Sequence, residues 1–356
     1  MKSNFFRNKR VLVTGHTGFK GAWLSFYLYL LGSKVMGISL KPSTKPSLFD
    51  ILRLKNKIDN NFLDINNKQK IEKKILKFKP DLIFHLAAQA LIKNSYNDPL
   101  KTWSTNLLGS INILEVLRKL KTSCICIMIT SDKCYKNLEK IHGYREDDIL
   151  GGIDPYSASK AATEIAFNSY FKSFLKNTNH RLATARAGNV IGGGDWSSHR
   201  IIPDCVKSVA KGKKVKIRNP KASRPWQHVI EILNGYLKLS KILSKSKRIN
   251  GHSFNFGPKN NEIISVNKIL KYISKDWPSF QWVKSNNIIK NETDLLVLNT
   301  TKAKKILNWN TRLSVKQATN LTIEWYREFY KSKKNSSKMI DFTKKQIFNY
   351  HKSFKV

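Results

Sequence analysis

Acidic side chains are scarce in this chain. Against 65 Lys and Arg there are 24 Asp and Glu, a formal charge of +41 over 356 residues. A surplus that large invites a polyanionic partner. The lysines, however, run through the whole sequence and fall on polar helix faces, as at Lys68, Lys70, Lys73, Lys74 and Lys77, and no nucleic-acid-binding module accompanies them. The surplus therefore reads as a lysine-rich surface, and no nucleic-acid partner is expected. Cysteines number four, Cys124, Cys126, Cys134 and Cys205. No CxxC pair and no His/Cys cluster occurs, so no metal site is expected, and so few thiols suggest reduced packing residues. Cys124 and Cys126, two apart, would share one face of a strand. Long apolar runs are missing too. No stretch reaches the roughly 18 residues of a membrane span. The basic segment 1–10 leads straight into Val11-Leu12-Val13, with no room for the apolar core of a signal peptide. No membrane partner is expected, and the location reads as cytoplasmic. The chain holds no internal repeat.

What is present is alternation. Apolar strand-like runs are expected at 10–14, 34–40, 62–63, 81–85, 123–130 and 182–187. The continuous apolar character of 123–130 suits a parallel sheet covered on both faces. A helix from about Ala22 to Leu31 ends at Gly32 as a left-handed cap. Further helices are marked by Ile71, Ile75 and Phe78, by Leu107, Ile111, Leu114 and Leu117, and by the stretch from about Pro155 to Leu175. A long loop with Pro42 and Pro46 reaches to about Phe49. This order predicts an α/β fold of Rossmann type, a doubly wound parallel sheet. After about Gly188 loops and short helices are expected, with 252–257 returning to the sheet. Val315, Ala318, Leu321, Trp325 and Phe329 lie at helical spacing. The segment 331–337 reads as a basic linker before a short helix at 341–351.

Gly15-His16-Thr17-Gly18-Phe19-Lys20-Gly21 follows the first strand and opens the first helix. Glycines there permit a tight turn and close approach of a pyrophosphate, and the helix N-terminus adds amides and a favourable dipole. In the first β–α turn, with a second strand following, this is a dinucleotide-binding signature. The acidic residue that usually ends the second strand to hold a ribose is missing. The segment reads Ile38-Ser39-Leu40-Lys41. Ser39 can bond a hydroxyl and Lys41 would favour a 2′-phosphate, so NAD and NADP both stay open by this rule. Asp64, after the third strand, is a candidate for the adenine side; an ordinary turn aspartate fits its spacing nearly as well.

Tyr156 and Lys160 are four apart on a helix introduced by Asp154-Pro155, an N-cap and a first-turn proline. The spacing puts both on one face. A tyrosine with an ordinary pKa of about 10 is a poor base at neutral pH, and a nearby ammonium would lower it. At the end of the fifth strand stands Thr130-Ser131-Asp132-Lys133-Cys134-Tyr135, where an open α/β sheet places its chemistry. Asp132 and Lys133 add two ionisable groups that simple oxidation does not need and elimination of water does.

The Gly-rich loop and the YxxxK pair resemble the extended short-chain dehydrogenase/reductase superfamily. Across nearly its whole length the chain looks like the CDP-glucose 4,6-dehydratases. The resemblance is carried by 13–21, 46–49, 85–89, 130–135, 154–160, 186–196 and 224–229. It implies NAD as cofactor and CDP-glucose as substrate, in deoxysugar and O-antigen biosynthesis, and a homodimer or homotetramer. Related dTDP-glucose dehydratases carry Asp-Glu where this chain has Asp132-Lys133. The resemblance implies that Ser131 binds the reacting oxygen beside Tyr156, and that Leu86, Ala87, Ala88, Gln89, Asn106 and Thr130 line the cofactor. Gln89 and Asn189 would touch the substrate, and Arg200, Arg218 and Arg224 would pair with its phosphates. Trp226 and His228 would brace the nucleotide pocket. Residues 1–190, with about 225–257 returning, would form the NAD-binding domain. Residues 191–224 and 258–356 would form a smaller α/β domain for the sugar nucleotide.

Overall fold

Along the first strand Val11 and Val13 point to one side and Leu12 to the other, and each side meets its own apolar core. A strand buried on both faces has no polar alternation, and its neighbours share that character. In the computed structural model, which describes residues 4–258, 263–285 and 296–354, seven strands form one sheet. They are β1 Arg10–Thr14, β2 Lys34–Ser39, β3 Asp59–Phe62, β4 Leu82–His85, β5 Ile125–Ile129, β6 Arg181–Ala187 and β7 His252–Phe256. Their order is β7-β6-β5-β4-β1-β2-β3, with every neighbouring pair parallel. The winding reverses between β1 and β4, so the loops leaving those strands diverge and open a crevice at their carboxyl ends. The return of the 252–257 segment to the sheet is as the sequence suggests.

Two helices cover the Val11/Val13 side: α1 (Phe19–Leu30) and, from the second half, Val229–Leu243, called α6 below. The Leu12 side carries α2 (Lys68–Phe78), α3 (Gly109–Lys119) and α4 (Pro155–Tyr170). Gly32 ends α1 with φ +78°, as expected of a left-handed cap. Asp154 caps α4: its carboxylate accepts from Ser157 N at 3.0 Å, and Pro155 occupies the first turn. All four cysteines are free and buried.

The structure departs from the sequence reading in several places. The third strand is Asp59–Phe62 rather than 62–63. The loop before Phe49 closes into a one-turn helix, Leu48–Ile51, capped by Ser47. Of the expected face Leu107, Ile111, Leu114 and Leu117, the last two are buried and are joined by Ile113 and Val116, whereas Leu107 and Ile111 are half-buried. A π-helical turn, Ser104–Leu108, precedes α3. Its extra residue per turn shifts every later position around the axis. The second half is far more helical than expected, with α5 (Ile201–Ala210), α6, α7 (Val266–Asp276), α8 (Val315–Lys331) and α9 (Ser336–Phe354). The expected linker shrinks to four residues between α8 and α9.

Helix α9 folds back onto the first half. Met339, Ile347 and Tyr350 enter the same apolar cluster as Trp23 and Tyr27 of α1. His351 bonds the Tyr27 hydroxyl, and the Tyr350 hydroxyl donates to the buried Glu231 carboxylate of α6 at 2.9 Å. Among the described residues no helix is long and apolar enough to cross a membrane. Among them, too, no three His, Cys, Asp or Glu side chains are placed to hold a metal ion.

Candidate active site

The Gly-rich loop turns where side chains cannot fit. Gly15 has φ +74°, and a Cβ there would sit 2.8 Å from Ala87 N; a Cβ on Gly21 would sit 2.1 Å from Gly15 O. These two glycines let α1 start hard against the end of β1. Gly18 is exposed, occupies the N-cap of α1 and offers no side chain to cap it. The first-turn amides of a helix have no intrahelical acceptor. With no acidic residue in that turn, the mouth is free to receive a dinucleotide pyrophosphate, and the residues fit one. Thr17 ties the loop to the end of β2, its hydroxyl 2.8 Å from Ser39 Oγ and 2.9 Å from Leu40 O. Ser39 thus already has a partner inside the protein. His16 is buried, its Nε2 2.6 Å from Asn60 Oδ1, and burial lowers its pKa. Asp64 is exposed and accepts from Asn66 N at 2.8 Å, the ordinary turn role.

Leaving β4, His85 bridges Thr14 Oγ1 (2.7 Å) and Ser110 Oγ (2.9 Å), and burial brings it down to about 3. Leu86, Ala87, Ala88 and Gln89 follow, partly open to the crevice. Asn106 is buried and holds this loop: its Oδ1 accepts from Gln89 N at 2.8 Å, and its Nδ2 donates to Gln89 O at 3.1 Å and to Ser159 Oγ of α4 at 2.9 Å. The Gln89 carboxamide is turned into its own loop, toward Leu91 and Thr102.

The turn after β5 meets the N-terminal half of α4. Ser131 caps a short 3-10 helix, Asp132–Cys134, accepting from Lys133 N at 3.2 Å and donating to Asp132 Oδ1 at 2.8 Å. Tyr156 hydrogen-bonds Ser131. Burial pushes the Asp132 carboxyl up; Lys133, Ser131 and Lys20 oppose it. The Gly-rich loop thus sends Lys20 toward the same carboxylate. Burial and then Arg200 bring Lys20 down to about 8. Lys160 also falls to about 8, through burial and the repulsion of Lys20. The expected lowering of the Tyr156 phenol by Lys160 is absent in the free protein. Burial pushes the phenol up to about 12, with the Ser131 hydrogen bond opposing. The Lys160 ammonium instead reaches back to Ile129 O at 3.4 Å.

On the substrate side, Asn189 accepts from Gln227 N at 3.0 Å, and its strand Val190–Ile191 pairs with Gln227–His228. Arg200, before α5, pairs with the buried Asp195 at 2.9 Å and its charge is felt at Tyr156. Arg224 lies on a two-residue strand paired with Ile264–Ser265, and Trp226 is buried behind it, its ring N–H toward Ile264 O at 3.4 Å. Arg218 is exposed. His228 is fully buried and edge-on to Trp23, and caps α6 with Nδ1 accepting from Ile230 N.

A buried network below the turn has no counterpart in the sequence reading. Glu164 and Arg186 pair at 2.8 Å, neither more than 2% exposed. Removing either partner alone strands a buried charge, a loss of roughly 3–5 kcal/mol. Thr130, expected at the cofactor, turns its hydroxyl to Glu164 at 2.5 Å instead. Two signals were present: Arg186 is a charge between two alanines near the end of a predicted buried strand, and Glu164 repeats the spacing of four beyond Lys160.

With this geometry in view, residues 12–322 match the family model described as GDP-mannose 4,6 dehydratase. The chain is 38% identical over 353 residues to CDP-glucose 4,6-dehydratase of Salmonella typhimurium, covering 98% of this chain and 97% of that one. Among solved structures, it resembles dTDP-glucose 4,6-dehydratase from Bacillus anthracis in complex with NAD. The TM-score is 0.74 at 20% identity, over 90% of this chain and 96% of the other. UDP-glucose-4-epimerase from Stenotrophomonas maltophila with bound NAD gives a TM-score of 0.80 at 16% identity, covering 91% and 100%. At such identities the two structures speak for the fold alone.

Proposed function

The chain belongs to the GDP-mannose 4,6 dehydratase family, and from its 38% identity over nearly its whole length to a CDP-glucose 4,6-dehydratase we propose that it is a CDP-glucose 4,6-dehydratase, converting CDP-glucose to its 4-keto-6-deoxy derivative and water. The observation that carries this reading is the meeting of the Tyr156/Lys160 pair with a second acid–base pair, Asp132 and Lys133, on one short turn. Inversion at C4 has no use for the second pair; elimination across C5 and C6 needs both of its members.

Bound NAD supplies the acceptor for the C4 hydride, its donor to C6 and a positive charge beside the phenol. The Gly15–Gly21 loop holds its pyrophosphate, with Leu86 to Gln89 beside its rings. Ser131 orients the C4 hydroxyl and Tyr156 receives its proton, Lys160 supporting the phenolate. The 4-ketone acidifies C5, and Lys133 removes the C5 proton. Asp132, whose carboxyl burial pushes up toward the protonated form, gives its proton to the C6 oxygen, which leaves as water. Lys133 returns a proton to C5, and the proton on Tyr156 passes through solvent to restore Asp132. Arg200, Arg224 and Asn189 hold the diphosphate, with Arg218 farther out. The parts 191–224 and 258–356 contain the sugar nucleotide, although 259–262 and 286–295 lie outside the described residues. The positive surface draws in a doubly negative substrate. Exposed Leu100, Leu108 and Ile165 supply apolar surface for a homodimer or homotetramer. Neither nucleic acid nor membrane enters this reading, which puts the enzyme in the cytoplasm, in deoxysugar and O-antigen biosynthesis.

The test is incubation with CDP-glucose, with and without added NAD, following the alkaline absorbance of the 4-keto product and the loss of 18 mass units by mass spectrometry. Water loss without net reduction of NAD supports the internal cycle, and dTDP-glucose in parallel tests the base. A folded, cofactor-loaded protein that forms no product overturns the reading. A Lys133→Ala enzyme that still dehydrates at full rate removes that residue from its role.

A further inference from the structure

Oxidation rests on Tyr156 and Lys160 of α4 with help from Ser131, whereas the elimination pair, Asp132 and Lys133, sits wholly on the turn after β5 that Ser131 opens. The two pairs act on neighbouring carbons of one sugar, C4 for the first and C5 and C6 for the second, so their mutual distance must be fixed. We propose that the buried Glu164–Arg186 ion pair is the positioning device that holds the elimination turn in register with the oxidation helix. The proposal rests on the dehydratase reading above.

Glu164 lies one turn beyond Lys160 and two beyond Tyr156 on the same face of α4. Its carboxylate collects donors from three strands or their ends. Oε1 accepts from Thr130 Oγ1 at 2.5 Å. Oε2 accepts from Arg186 Nη2 at 2.8 Å, Thr184 Oγ1 at 2.9 Å and Ser253 Oγ at 3.1 Å. Arg186 then reaches the far end of the turn. Its Nη1 donates to the Tyr135 hydroxyl at 2.7 Å, its guanidinium lies 4.9 Å from the centre of that ring, and Tyr135 passes the bond on to Asn255 Oδ1 at 2.7 Å. Thr130 directly precedes Ser131, and Tyr135 directly follows Cys134. Both ends of the Ser131–Cys134 turn therefore hang from one ion pair rooted in the oxidation helix. Stability alone is a poor reason for such a pair, because well-packed apolar side chains serve as well in a core. Apolar side chains, however, cannot aim hydrogen bonds at two fixed points flanking a turn.

Glu164→Gln keeps the shape and removes the charge. In the free protein, amide hydrogen exchange over 130–136 should rise ~10-fold or more while α1 stays unchanged. In single turnover with CDP-glucose and NAD, borodeuteride quenching and mass spectrometry separate the 4-keto hexose from the dehydrated product. Oxidation, which keeps Tyr156 and Lys160 in place but shares Ser131 with the turn, should slow ~10-fold or less while water loss slows ~100-fold, so that the 4-keto hexose accumulates. Tyr135→Phe leaves the ion pair in place and frees only one end of the turn. It should give the same signature at ~10-fold, and it decides the matter if Glu164→Gln does not fold. A folded variant in which oxidation and water loss fall by one common factor, or in which exchange over 130–136 is unchanged, overturns the proposal. A wild-type protein that does not dehydrate CDP-glucose overturns the functional reading instead, and the exchange measurement still stands on its own.

Discussion

Gly37, in the middle of β2, is where the first crevice loop can be challenged most sharply. Its backbone is not in the left-handed region, so alanine would be acceptable to the strand itself. The obstacle is the His16 ring, whose carbons Cγ and Cδ2 lie 2.4 and 2.5 Å from where the new Cβ would stand. Ordinary contact needs about 3.5–4 Å, so ring and strand must part by roughly an ångström. The ring is pinned by its 2.6 Å bond to Asn60 and its edge contact with Phe49 at 5.4 Å between centroids. Overpacking of this kind costs about 1–3 kcal/mol, and loss of the Asn60 bond about 1 more. We therefore expect Gly37→Ala to destabilise by about 2–4 kcal/mol in urea unfolding. Removing the ring by His16→Ala should reverse the sign. In that background the three atoms nearest the new Cβ are gone, and Gly37→Ala should stabilise by about 0.5–1 kcal/mol, because alanine loses less chain entropy in a strand. The double-mutant cycle should thus show a coupling of at least about 2 kcal/mol. An equal loss from Gly37→Ala with and without the His16 side chain would refute the reasoning.

Three further outcomes follow from the same coordinates. His85 and His228 are fully buried and both held down to about 3 from an ordinary 6.5. A base whose folded pKa is depressed binds its proton in the unfolded chain first. Its contribution is complete above pH 6.5 and falls away as pH drops toward 3, by about 1.4 kcal/mol per unit for each histidine. Asp132, Glu146 and Glu231, raised by burial, act in the opposite sense. The measurement is therefore a difference: His228→Gln should show a shallower loss of stability between pH 6.5 and 5 than the wild type. Tyr350→Phe takes one of three donors from the Glu231 carboxylate, which keeps Arg312 N at 2.8 Å and Leu313 N at 2.7 Å. It should destabilise by about 1 kcal/mol in chemical unfolding, and Glu231→Ala by several times that. Asp64→Ala should lose about 0.5–1 kcal/mol through its turn. Calorimetric titration with NAD then decides whether it also touches the adenine side; an unchanged Kd leaves it a turn residue.

The doubly wound parallel sheet and its Gly-rich loop were legible in the sequence because each is written in local chemistry. Strands buried on both faces must be apolar throughout, and a helix that starts against a strand end needs glycine at Gly15 and Gly21. The reaction turn was legible for the same reason, since Asp132 and Lys133 interrupt the end of an apolar run. Leu114 and Leu117 were rightly placed in the core, but Leu107 and Ile111 were not, because a π-helical turn adds a residue without leaving any mark of composition. Tyr156 was expected to be lowered by Lys160, yet burial dominates and the ammonium points to Ile129 O. Spacing of four says that two side chains share a helix face; it does not say which atoms they choose. Asn106, Glu164 and Arg186 work across 17 to 53 or more residues of sequence, and partners that distant leave no periodic trace. The helical second half was underestimated because its amphipathic stripes pack on one another as well as on the sheet, so the spacing of each helix taken alone is blurred.

The return of α9 onto α1 has a consequence for how the molecule is made. Trp23 and Tyr27 leave the ribosome more than 300 residues before Met339, Ile347 and Tyr350, which share their apolar cluster, and His351, which bonds Tyr27. At ~5–20 residues per second, the interval between them is roughly 15–70 s. Throughout that time the helix carrying the dinucleotide loop stands with one flank uncovered, and β6 waits some 65 residues for β7 to seal its edge. The nascent chain can therefore build the centre of its sheet early, but it closes the β6 edge only with β7 and the α1 flank only with α9. A chain that lacks α9 would keep an almost whole sheet with an open apolar seam, a good substrate for quality-control proteases.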